Sequence, residues 1–141
     1  MSIRAVLLPL FVEVALTFGM MLWMASARTA AIKNRETRMA DIALGQPNWP
    51  APVQQISNNY ASQFQIPILF YLLTVLVIVT RHVDIVFIVM AWLFVATRLV
   101  HAYIHTSSNY VPRRFAAFAT GSLVLLAMWL IFAVRLILVL P

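Results

Sequence analysis

The stretch "AWLFVATRLVHAYIHTSSNYVPRRFAAF", residues 91–118, sets two apolar helical runs on either side of a short polar turn and puts three ionisable groups inside the first. At about 100° per residue, Arg98, His101 and His105 fall within roughly 60° of one another on a helix face. An arginine near the centre of a membrane helix costs about 2.5–3.5 kcal/mol on insertion scales, so such residues face a bundle interior, a wet cavity or a partner. Ser107, Ser108, Asn109 and Tyr110 then form the turn, and Pro112 suits the start of the next helix. Arg113 and Arg114 stand beside that helix N-terminus, which is a natural setting for an anion. The stretch therefore offers a place for a negatively charged, hydrogen-bonding ligand. Plainer readings stand beside this one. Arg98 snorkels or pairs with Glu13, the histidines bond backbone carbonyls, and Arg113 and Arg114 only mark topology. His101 and His105 have the i, i+4 spacing of a metal pair. No carboxylate is close in sequence and Arg98 repels a cation, so no metal is expected.

Composition places these helices in a bilayer. The chain has 141 residues, one domain's worth, of which 63% are hydrophobic and 10% charged. Its mean hydropathy is +0.91. A soluble domain carries about 25% charged residues, so this chain has too little polar surface to coat a water-soluble globule. The reading is an all-α integral membrane protein, a four-transmembrane-helix bundle. The formal charge of +6 then reflects topology, and nucleic acid is not an expected partner. The absence of cysteine excludes disulfides, thiolate metal sites and a cysteine nucleophile.

Four segments reach the roughly 20 apolar residues that a span requires: about 3–27, 57–80, 84–106 and 113–140, with a polar loop at 28–56. The first resembles a signal peptide, with Arg4, an apolar run and "ASA" before Arg28. The run exceeds the usual 7–15 residues and contains Glu13, so a retained span is expected. In the loop, "RTAAIKNRETRMADIALGQ" reads as a basic helix continuing the first span, and "GQPNWPAP" breaks it. Trp49 is an interface anchor. Arg28, Lys33, Arg35, Arg38, Arg113 and Arg114 fall at one end of the bundle, and Arg4, Arg81 and Arg135 at or near the other. That asymmetry predicts cytoplasmic first and third loops, with both termini on the opposite side.

The second span opens with a matching polar patch, "NNYASQFQIPILFY", residues 58–71. Asn58, Asn59, Ser62, Gln63 and Gln65 can hydrogen-bond a peptide-like ligand, or simply cap the helix where it leaves the membrane. Pro67 is expected to kink the helix or to loosen its backbone bonds locally. Glu13, one turn before Thr17, is the acidic residue inside a span, and a helix-packing role suits it.

With these residues in view, the chain resembles the MAPEG family, the membrane-associated proteins in eicosanoid and glutathione metabolism. "NNYASQFQIPILFY" is similar to the bacterial form of the family's second-helix signature. The stretch 91–118 is similar to its third-helix Arg-x-x-His motif, short turn and Pro-x-Arg opening of the fourth helix. The resemblance implies a homotrimer of four-helix subunits in a bacterial inner membrane. It also implies glutathione bound between subunits toward the cytoplasm, and a lipophilic substrate entering from the bilayer. Arg114 matches the arginine that stabilises the glutathione thiolate. Asn59, Arg98 and His101 match glutathione-site positions, and His105 falls where a tyrosine often contacts the ligand. Ser62, Gln65 and Arg113 complete the expected binding set. The sequence departs from the family at Gln54, Gln55 and Ile56, where catalytic members carry arginines, and at Gln65, which stands for a glutamate. Phe115 and Phe118 replace hydroxyls and cannot donate a hydrogen bond to a thiolate.

Three functions follow as alternatives. One is a glutathione-dependent transferase, peroxidase or isomerase acting on a membrane-soluble electrophile. Another is a non-catalytic subunit that keeps the fold and binds a lipid or a larger membrane complex. The third is a proton or ion path through Glu13, Arg98 and the histidines, which the fourth span hardly continues.

Overall fold

In the computed structural model, which describes residues 1–138, five helices make four crossings. They are α1 (Ile3–Lys33), α2 (Ala51–Ser62), α3 (Ile66–Val79), α4 (Ile85–Thr106) and α5 (Val111–Ile137), with a single 3₁₀ turn at Met39–Asp41. α1, α4 and α5 are each long and apolar enough to span a bilayer, and α2 with α3 makes the fourth crossing. No strand occurs among the described residues. The end expected for the fourth span, near residue 140, lies outside them.

The helix boundaries follow local chemistry. Ser2 accepts a hydrogen bond from the Arg4 amide at 3.2 Å and opens α1. Asp84 does the same for α4 through the Phe87 amide at 2.8 Å, and its other oxygen pairs with Arg135 near the end of α5. Asn109, at φ 49°, turns the chain between α4 and α5; asparagine tolerates this left-handed conformation better than most residues. The first helix continues beyond its span as expected but stops at Lys33, short of residue 46, and the second crossing starts earlier than expected. α2 begins at Ala51, so the true loop is 34–50. α2 can start there because Pro50 and Pro52 sit at its N-terminus, where a missing amide hydrogen is harmless.

The core lies toward the end of the bundle away from that loop. Phe70, Leu73 and Val77 of α3 meet Phe87, Ala91, Phe94 and Val95 of α4, with Leu125, Met128 and Phe132 of α5 closing the cluster. The Phe70 and Phe94 rings stack with centroids 4.8 Å apart. Outward side chains such as Phe11, Phe18, Leu93, Leu123 and Leu130 are exposed, as a lipid-facing surface requires.

Within the second crossing the loosening expected at Pro67 amounts to a break, at Gln63–Gln65. Pro67 lacks an amide hydrogen, and its ring clashes with the carbonyl four residues earlier, that of Gln63. Phe64 and Gln65 accordingly close short turns, bonding the Ala61 and Ser62 carbonyls at 3.1 and 3.3 Å. Irregular backbone at membrane depth is tolerated only where protein or a wet cavity satisfies it. This break positions the site described below.

α4 and α5 approach closely at Gly121, where an added Cβ would collide with the Thr97 hydroxyl and lie 3.3 Å from its Cβ. Gly121→Ala is expected to cost about 1–3 kcal/mol by overpacking, read as a lower thermal midpoint in detergent. Adding Thr97→Ala should recover much of the loss; equal midpoints for wild type and Gly121→Ala would show that the helices separate freely here.

Candidate functional site

The break frees backbone carbonyls that a continuous helix would use, and side chains take them up. Ser62 Oγ donates to the Asn59 carbonyl at 2.7 Å, and Gln63 Nε2 donates to the same carbonyl at 3.2 Å. Arg98, arriving from α4, donates to Ser62 Oγ at 3.0 Å and to the Ser62 carbonyl at 3.3 Å. Gln63 Nε2 also reaches Asn59 Oδ1 at 3.1 Å, and Asn59 Nδ2 lies 3.4 Å from His105 Nδ1. The break is thus tied to α4 at two points, Arg98 and His105, about two helical turns apart.

On its outer side this network forms one wall of an open cleft of about 450 Å³ between α2, α4 and α5. Ser62, Gln65, His101, His105 and Arg114 line it, together with Asn58 and the apolar Phe115 and Phe118. Arg114 donates to Asn109 Oδ1 at 2.7 Å, which holds its guanidinium at the cleft mouth. Among the described residues it is the cation lining the cleft, and no carboxylate lines it. The His101 and His105 rings meet edge to face at 5.4 Å.

Other residues named from sequence fall elsewhere. Arg98 is 3% exposed and lies behind the cleft wall, 3.7 Å from a fully buried Glu13 on α1. Asn59 is likewise buried behind the wall. Arg113 points away from the cleft, over the Tyr110 ring at 5.7 Å, beside an apolar groove lined by Ala96, Thr97 and Ala117. The Gln65 side chain has no hydrogen-bond partner among the described residues and faces the cleft, whereas Gln63 is the glutamine built into the network. The sequence named Gln63 among the amides able to bond a ligand and Asn109 as a turn residue, but spacing did not show their roles as network and Arg114 partners. The position of Gln63, four residues before Pro67, is the signal that marks it. Among the described residues no cluster of three His, Asp or Glu is arranged for a metal.

At the same end of the bundle Arg28 donates to Ser57 Oγ at 3.1 Å and lies 4.8 Å from the Trp49 ring centroid. The loop is thereby pinned to both α1 and α2. Asn48 and Thr37 bond loop carbonyls, so the segment above the cleft is held by its own contacts as well.

A helical membrane bundle with one polar, singly cationic cleft near a basic end defines a multi-pass integral membrane protein with a site at membrane depth. Residues 6–134 match the MAPEG family, and the chain belongs to it. Searches of curated proteins and of solved structures each returned no significant match.

The Glu13–Arg98 pair generates a stability prediction. Removing one partner of a buried pair costs about 3–5 kcal/mol, whereas replacing both with apolar groups is often neutral. Arg98→Met should therefore lower the thermal midpoint sharply, and Glu13→Leu added to it should recover part of the loss. A double variant less stable than the single would rule out charge compensation between these residues.

Proposed function

We propose that the cleft binds glutathione and that the protein is a glutathione-dependent transferase or peroxidase acting on a lipophilic electrophile. The observation that carries this reading is the convergence of Arg114 with Ser62, Gln65, His101 and His105 on one open cleft. A cation beside a thiol lowers its pKa and raises the fraction of reactive thiolate. Arg114, oriented by Asn109, plays that part. The hydroxyl, amides and imidazoles hold the peptide, and Phe115, which is 67% exposed, offers the apolar side from which a membrane-dissolved substrate arrives. Family membership supports this reading. The working unit is a homotrimer, in which a neighbouring subunit supplies the further charges that glutathione needs. The basic end, with Arg28, Lys33, Arg35 and Arg38, faces the cytoplasm.

A second reading draws on a specific observation: Arg98 is committed to Glu13 and Ser62 and is withdrawn from the cleft. With one cation and no carboxylate lining it, the cleft also suits a singly anionic lipid headgroup in a non-catalytic subunit, alone or within a larger membrane complex.

Titration calorimetry of the purified protein with glutathione separates the two. Saturable binding is expected, weakened about 10- to 100-fold in Arg114→Ala, the worth of a hydrogen bond to a charged group. No heat from folded, natively assembled protein overturns the glutathione reading and leaves the lipid one, which native mass spectrometry then tests through retained lipid.

A further inference from the structure

We infer that Gln63 sets the tautomer of His105, so that His105 presents an Nε2–H donor to the cleft. Three contacts fix the direction of every hydrogen bond. The Asn59 backbone carbonyl can only accept, so the Gln63 group 3.2 Å from it is the amide NH₂. That same NH₂ lies 3.1 Å from the Asn59 side-chain amide, which must therefore turn its oxygen toward Gln63. The Asn59 NH₂ is then the group facing His105 Nδ1 at 3.4 Å. A donor at that position needs a lone pair on Nδ1, so the ring proton resides on Nε2. A proton on Nδ1 would be set against the Asn59 N–H.

The consequence is a polarity for the cleft. Gln63 is 1% exposed and Asn59 fully buried, so neither amide has water with which to reverse its orientation. His105 lines the cleft, and Nε2, the ring nitrogen left over from Asn59, has no hydrogen-bond partner among the described residues. Nε2–H and the Arg114 guanidinium are both donors, which selects an acceptor carrying negative charge, a thiolate or a carboxylate. Gln63 touches no ligand; it is a positioning residue acting through Asn59. The tautomer stands independently of the glutathione reading, whereas the identity of the acceptor rests on it.

The test is nitrogen NMR of protein labelled with ¹⁵N-histidine, without ligand. The chain has three histidines, and His105→Gln assigns the third signal. In wild type, His105 is expected to show a protonated Nε2 and an unprotonated Nδ1. Asn59→Asp, which turns an acceptor toward the ring, should move the proton to Nδ1. Gln63→Met, which frees the Asn59 amide to rotate, should give a mixture of both forms while His82, at the other end of the bundle, stays unchanged. A wild-type His105 protonated at Nδ1 overturns the inference, and this holds even where a variant fails to fold. An unaltered single tautomer in folded Gln63→Met overturns the role of Gln63. Calorimetry on the same proteins adds a second readout: Asn59→Asp should weaken glutathione about tenfold, the scale of coupling within one hydrogen-bond network. Absence of glutathione binding in wild type with the expected spectra removes the function proposed above and leaves the tautomer in place.

Discussion

Pro67 cannot donate a backbone hydrogen bond, and its ring excludes the carbonyl of Gln63 from a regular turn. Placed within a membrane crossing, that single residue interrupts the regular helix over three residues of chain where lipid offers no hydrogen bonds. Much of the polar architecture answers this demand. Ser62 and Gln63 serve the Asn59 carbonyl, Arg98 serves that of Ser62, and Asn59 extends the network to His105. The cleft is the outer surface of this repair.

The arginine recruited to the repair brings a charge into the bilayer, and the fold offsets it from a third helix. Glu13 of α1 lies at ion-pair distance from Arg98, with the Tyr71 hydroxyl and Thr17 close by. The pairing leaves Arg98 sealed, while Arg114, one span end away, remains open to the cleft. Two arginines similar on paper thus divide into a strut and a cleft-facing group. At the far end of the bundle, Asp84 and Arg135 join the start of α4 to the end of α5.

The architecture was legible in sequence because membrane spans announce themselves by length and hydropathy, independently of tertiary contacts. The face shared by Arg98, His101 and His105 was legible too, since helical periodicity is local. Their separation in depth was not. Which side of a wall a buried residue occupies depends on the neighbouring helix, and no spacing rule on α4 reports that Ser62 stands between Arg98 and the cleft. The two glutamines show the same limit. Gln63 and Gln65 look interchangeable along the chain, yet the break rotates one into the network and the other into the opening. Arg113 and Arg114 are adjacent in sequence and roughly 100° apart on α5, so one meets the cleft and the other the Tyr110 ring.

The interruption also divides the second crossing into two parts with different physical tasks. Residues before Pro67 carry the polar wall, whereas Phe70, Leu73 and Val77 after it carry the packing that holds the bundle together. Substitution of a cleft-facing residue outside the network, such as Gln65, changes the polar lining while leaving the packed cluster intact. The lining of the cleft can therefore vary at such positions without a cost in core packing. One proline gives the protein a boundary between the part free to innovate and the part obliged to stay the same.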